Sequence, residues 1–198
     1  MKTGTKIVLG IVGAAVAYQA FFTIKENIER HTHFNAALAF ARLVDKPLLV
    51  VGLQRRFWEP PNGDVTVDID PEVLTIEGGV LADVKNMPFT DKRFGAAYVA
   101  HILEHMETVL DVETAVNECM RIADRVYFLC PSPYGIISNF FCPSHYLRIW
   151  FDQASNTITV ADNNYRISWI PKWNGQYENP VKQSLVIESQ PEIYYLSK

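Results

Sequence analysis

The stretch from Gly78 to Met106 constrains the fold most. A short apolar run ends there at Asp83, and a turn-like Met87-Pro88-Phe89 with Asp91 behind it follows. A second apolar run, Gly95 to Ala100, then leads into a helical pattern opening at His101. Runs this short, bounded by turn residues, read as strands buried on both faces. Their ends would face a common crevice, with an acid closing the first.

The flanking chain supplies the rest of such a sheet. Pro47 ends a helical pattern, Leu48-Leu49-Val50-Val51 reads as a buried parallel strand, and Gly52 follows at once. Pro60-Pro61-Asn62-Gly63 is a turn, and Val65 to Asp70 reads as a second strand ending in an acid. Downstream, Val112, Ala115, Val116, Cys119 and Ile122 form the apolar stripe of a helix over Asp111–Ile122, capped by Thr108 or Asp111. Arg125 to Cys130 is a further strand, terminated by Pro131-Ser132-Pro133.

Asp83, Met87-Pro88-Phe89, Asp91 and Phe94, followed by His101-Ile102-Leu103-Glu104-His105, resemble the class I S-adenosylmethionine (SAM)-dependent methyltransferases, type 11-like group. The resemblance implies an α/β, Rossmann-like sheet over about Leu48 to Leu196, mostly parallel and closed by an antiparallel C-terminal hairpin. Ser184–Glu188 and Glu192–Leu196 are the expected hairpin strands, with Ile158–Val160 and Tyr165–Ile170 before them. It also implies SAM as cofactor. Gly52 would make the turn after the first strand, Asp70 would hold the ribose hydroxyls, and Asp83 would approach the adenine amino group. Met87 and Phe89 would flank the ring, and His101 would stand at the pocket lip. The chain departs from the family pattern at four places: Val50 stands for an acid, Gln54 and Arg56 for glycines, and Gly95 for an acid.

Other readings compete at single sites. His101-Ile102-Leu103-Glu104-His105 also fits the zinc-hydrolase pattern of two histidines on one helix face, with a distant third ligand such as Glu178 or Glu188. The upstream strands explain the segment better, and no metal is expected. His31 and His33, two apart on a helix, read as solvated. The segment from Tyr134 to Phe151 is aromatic and carries His145, a candidate general base beside His101. It would wall an acceptor pocket, pack on the anchor or fill core.

Ile7 to Ile24 carries no charge, and Tyr18, Phe21 and Phe22 sit where an interfacial belt belongs. It is expected to be an uncleaved transmembrane anchor over residues 1–25, the alternative being a signal peptide cut near Ala15-Val16-Ala17. A linking helix over 26–46 and a domain over 47–198 follow. Lys25, Arg30, Arg42 and Lys46 favour the domain on the cytoplasmic side, where SAM is made. The net charge of −4 speaks against a nucleic-acid partner, and three cysteines, Cys119, Cys130 and Cys142, against a disulfide framework. The expectation is thus a single-pass, membrane-anchored enzyme moving a methyl group to a small-molecule, lipid or protein acceptor. Its rival is a non-catalytic subunit of a membrane complex that keeps the fold.

Overall fold

One continuous helix of 41 residues, α1 (Thr3–Leu43), opens the chain. The computed structural model describes residues 3–132, 135, 137, 142–152, 157–162, 184–188 and 196–197. At 1.5 Å per residue α1 is about 60 Å long, roughly twice the hydrocarbon core of a bilayer. Its first half leaves Ile7, Leu9, Ile11, Val16, Phe21 and Ile24 exposed, while its second half buries Phe34, Ala37 and Ala41. It is the one described helix long and apolar enough to cross a membrane. Asp45, in left-handed backbone at φ 53°, turns the chain out of it. Lys46 N–H then donates to Ala41 C=O at 3.0 Å, and Pro47 forbids a further turn.

The strands are β1 (Leu48–Val51), β2 (Val65–Asp68), β3 (Gly79–Leu81), β4 (Phe94–Ala100), β5 (Ala123–Leu129), β6 (Leu147–Asp152), β7 (Thr157–Asp162), β8 (Ser184–Glu188) and β9 (Leu196–Ser197). Six form the main sheet in the order β3-β2-β1-β4-β5-β8. Its first five are mutually parallel and β8 runs antiparallel to β5. The mostly parallel α/β sheet with a reversed strand is as expected. One detail differs: β9, the end of the expected hairpin partner, pairs with β7 in a second sheet of order β6-β7-β9. The end of the aromatic segment Tyr134–Phe151 falls in a strand of that sheet, Leu147–Asp152. The expected strand at Tyr165–Ile170 lies outside the described residues.

Strand alternation divides the core into two layers. Leu48, Val50, Ala96, Tyr98 and Ala100 meet α1 through Phe34, Ala37 and Ala41. Leu49, Val51, Ala97, Val99, Val126 and Phe128 meet the opposite helix, α2 (Val109–Ile122), through Val112, Ala115, Val116 and Cys119. Thr108 and Asp111 cap α2 reciprocally, Asp111 N–H donating to Thr108 Oγ1 at 3.1 Å and Thr108 N–H to Asp111 Oδ2 at 3.1 Å.

Contacts along β4 fix the direction of α1. Near the strand's start, Ala41 and Val44 close over Gly95. In its middle, the Tyr98 hydroxyl donates to Arg30 C=O at 3.1 Å. Just past its end, His101 Nε2 lies 3.1 Å from Glu26 Oε1. The helix therefore runs antiparallel to the strands, and its apolar N-terminal half projects beyond their C-terminal edge.

Candidate functional site

In an open parallel sheet, ligands bind beyond the C-terminal ends of the strands. At the end of β1, Gly52 has φ 94°, and its N–H donates to Val67 C=O at 2.8 Å. A Cβ there would lie 2.7 Å from Ile102 Cδ1, a side-chain tip that can move aside, so it is the positive φ that calls for glycine. Gln54, at a position where the family pattern has glycine, folds back on this turn. Its Nε2 donates to Gly52 C=O at 2.9 Å, and its Oε1 accepts from Arg30 Nη2 on α1 at 3.2 Å. Arg56 is exposed, with its guanidinium 5.5 Å from the Trp58 ring.

The strand acids fall differently from the reading of the sequence. β2 ends at Asp68, two residues before Asp70. Asp70 instead caps a 3-10 turn over Pro71–Thr75, its Oδ1 accepting from Glu72 N–H at 2.9 Å. Its Oδ2 pairs with Arg55 Nη2 at 2.6 Å, and Arg55 Nε also reaches Glu72 at 2.8 Å. Asp68 faces the β1 turn: Oδ2 accepts from Leu53 N–H at 2.7 Å and Oδ1 from Asp70 N–H at 2.9 Å. The sequence did hold a signal for this, since Asp-Pro-Glu at 70–72 is a helix-start pattern that moves the strand end upstream.

Asp83 lies two residues beyond β3, just as Asp70 lies two beyond β2, because Asp68 and Leu81 are register partners. It forms a bridge with Asn86, and its carboxylate accepts from Lys85 N–H at 2.9 Å. Met87, expected against the adenine ring, is core instead. It is 3% exposed among the residues packed under α2, and its N–H donates to Glu118 Oε1 at 2.7 Å. Phe89 packs edge-on against Phe94 at 4.9 Å.

Beyond β4 the expected helix at His101 is absent. His101 takes left-handed backbone at φ 59°, its N–H donating to Leu129 C=O at 2.8 Å, and a single 3-10 turn over Leu103–His105 follows. His101 and His105 therefore do not share a helix face. His101 meets Glu26 of α1, whereas His105 Nδ1 lies 2.9 Å from Ser144 C=O. Burial pushes the Glu26 carboxyl up, but the His101 imidazole and Arg30 beside it outweigh this and hold it below its ordinary value.

His145 is buried next to this turn. Its ring packs edge-on against His105 with centroids 4.8 Å apart, and its Nε2 lies 4.0 Å from Glu104 Oε1. Glu104 is 2% exposed, and neither carboxylate oxygen has a hydrogen-bond partner among the described residues. Burial drives its carboxyl above the ordinary range, while the His101 and His105 rings pull the other way. Tyr146 N–H donates to Glu104 C=O at 2.9 Å, which docks the 142–146 segment on the turn. Of the zinc-pattern outliers, Glu178 is outside the described residues and Glu188 belongs to β8.

The site thus gathers Gly52, Asp68, His101 and Glu104 at one sheet edge. Glu26 and Asp68 escaped the sequence reading; Glu26 carried no local signal, since only the antiparallel docking of α1 brings it there.

Comparison with known proteins places a family in this segment. A family model described as a methyltransferase domain matches residues 56–125, the stretch from which the resemblance was drawn, and bears it out. No curated protein matches the sequence. Among solved structures, the chain is similar to the N-methyltransferase NodS from Bradyrhizobium japonicum WM9 in complex with S-adenosyl-L-homocysteine. There identity is 16% and TM-score 0.37, over 50% of this chain and 60% of that one. A second is the PH0226 protein from Pyrococcus horikoshii OT3, with 13% identity and TM-score 0.38 over 64% and 66%. A third is an S-adenosylmethionine-dependent methyltransferase from Mesorhizobium loti, with 15% identity and TM-score 0.31 over 61% and 58%. The chain covers less than two thirds of each of these proteins.

Proposed function

We propose that this chain, whose residues 56–125 match a methyltransferase-domain model, is a membrane-anchored enzyme that moves a methyl group from SAM to an acceptor held at the membrane. The observation that carries the reading is the direction of α1. Because the helix runs antiparallel to β4, the C-terminal edge of the sheet and the apolar half of α1 point the same way. Glu26, which touches His101, stands only about 3 Å of helix rise beyond Ile24. The methyl-transfer edge would therefore sit at the bilayer surface, with residues 7–24 in the lipid and the domain on the SAM-containing cytoplasmic side. Ile137 N–H donates to Gln19 Oε1 at 3.1 Å, so the loop after β5 also reaches the apolar half of α1. Phe57, 94% exposed beside Trp58 and Arg56, would add a further interfacial contact at this end.

In such a reaction the protein mainly positions donor and acceptor. Gly52 would let the backbone approach the donor, and Asp68 would accept from the ribose hydroxyls with the lone pairs left by Leu53 and Asp70. Asp83 would border the adenine. The sulfonium methyl would face the end of β4, where His101 and His145 stand as candidate bases.

The second reading, a fold-retaining subunit of a membrane complex without catalysis, is favoured by Gln54 lying across the β1 turn. Calorimetric titration of the full chain in detergent with SAM separates the two. The enzyme reading expects binding that weakens at least tenfold in Asp68→Asn, since a hydrogen bond to a charged group is worth about 1.5–3 kcal/mol. Asp70→Asn should change affinity less than threefold. No heat with the wild-type chain would establish the non-catalytic reading.

A further inference from the structure

We propose that Glu104, His105 and His145 form a binding site for a single divalent transition ion of the zinc type, clasping the turn after β4 to the segment that leads into β6. One ligand atom from each of the three lies within 4.8 Å of the others. Two imidazoles and one carboxylate are a donor set that zinc accepts, leaving a fourth position for water or another ligand.

Two features separate this cluster from an ordinary group of polar residues. Glu104 is 2% exposed, yet both of its oxygens lack a hydrogen-bond partner among the described residues, a costly state for a carboxylate. A cation between it and the imidazoles satisfies those oxygens. The second feature is the outer support of His105. Its Nδ1 lies 2.9 Å from Ser144 C=O, so Nδ1–H is the donor there and Nε2 keeps a free lone pair. A histidine anchored through one nitrogen by a backbone carbonyl is the usual arrangement for a metal ligand. The His145 Nε2 to Glu104 Oε1 distance is 4.0 Å, and ligand atoms around tetrahedral zinc stand about 3.3 Å apart. The widest separation among the three ligand atoms is 4.8 Å, so contraction by about 1.5 Å closes the site. His105 is exposed, which gives the ion an entry path and the open position a solvent face.

The cluster differs from the five-residue zinc-hydrolase reading. His101, the first histidine of that pattern, turns Nε2 to Glu26 at 3.1 Å and Nδ1 to Glu104 Oε1 at 3.6 Å, and the second imidazole of the cluster comes instead from His145, 40 residues beyond His105 and outside any local pattern.

The test is equilibrium dialysis of the full chain in detergent, without SAM, against Zn²⁺ and separately against Co²⁺. Expected are one equivalent of either ion and, for Co²⁺, the visible absorption of a low-coordinate site. His105→Ala and His145→Ala should each weaken binding at least tenfold. Glu104→Gln should do the same while the metal-free chain unfolds no sooner than wild type, because a buried amide is less costly than a buried carboxylate; misfolding then cannot account for the loss. Uptake that Glu104→Gln leaves unchanged, or a wild-type chain that takes up neither ion, overturns the proposal. Neither result bears on SAM binding.

Discussion

Gly95 offers a quantitative test of the whole arrangement, because the docking of α1 on the sheet depends on its having no side chain. A Cβ at Gly95 would lie 2.6 Å from Val44 Cγ2, 2.8 Å from Ala41 Cα and 3.1 Å from Lys46 Cβ. The valine methyl can rotate away, but the Ala41 Cα is helix backbone and can yield only if α1 shifts as a body. Overpacking of this kind costs about 1–3 kcal/mol. Alanine recovers roughly 0.5–1 kcal/mol from the lower entropy of the unfolded chain, which leaves Gly95→Ala less stable by about 0–2.5 kcal/mol. Gly95→Asp adds a carboxyl in an apolar seam, a further cost of about 1–3 kcal/mol. The assay is denaturant unfolding of the full chain in detergent, followed by tryptophan fluorescence. Val44→Ala should lessen the cost of Gly95→Ala by removing one of the two close contacts, a coupling visible in a double-mutant cycle. A Gly95→Asp chain within 0.5 kcal/mol of wild type, or independence of the two sites, would mean that α1 does not cover β4.

Two further substitutions probe other joints. Asp64 accepts from Arg42 on α1 at 2.7 Å and from the Leu48 N–H at 2.7 Å. The Arg42 hydrogen bond outweighs desolvation and, with that N–H, holds the Asp64 carboxyl below its ordinary value. A depressed carboxyl contributes stability above its unfolded pKa of about 3.9, and loses it as pH falls through the folded value. Asp64→Asn should therefore be less stable at neutral pH and lose less on acidification to pH 3, read as Tm against pH; parallel curves for the two chains would refute the linkage. Met87→Ala should lower stability by about 2–5 kcal/mol as a core truncation, with SAM affinity within threefold of wild type in calorimetry. A large affinity loss at unchanged stability would instead return Met87 to the adenine pocket.

Periodicity made the central strands legible. Leu48–Val51 appears at the predicted bounds, and Phe94–Ala100 begins one residue early, because runs buried on both faces leave few alternatives. Strand ends were harder. Asp68 and Asp70 are both acids two residues apart, and what decides between them is the capping preference of Asp70 before Pro71. The turn at His101 was misread because Ile102-Leu103-Glu104-His105 has helical composition. His101, however, is held in left-handed backbone by its bond to Leu129, a contact between neighbouring strand exits. Pairings between distant segments, Glu26 with His101 and His145 with Glu104, have no local signature at all.

The departures from the methyltransferase pattern also gain a physical account. Val50, where the pattern has an acid, is buried in the layer that faces Phe34, Ala37 and Ala41. An ionised carboxylate there would lie in an apolar interface without a partner. Gly95, the other missing acid, sits under Ala41 of the same helix. Gln54, in place of a glycine, receives a hydrogen bond from Arg30, again on α1. Three of the four changes therefore trace the contact area of one helix, and the fourth, Arg56, is on the exposed loop beside it. A site decaying without constraint would lose residues on both sides of the crevice. Here Gly52 has the left-handed turn that only glycine makes easily, and Asp68 ends β2, tied to the same loop. Packing of α1 against the sheet accounts for this distribution, and under the proposed function it makes Asp68 the residue whose substitution tests donor binding.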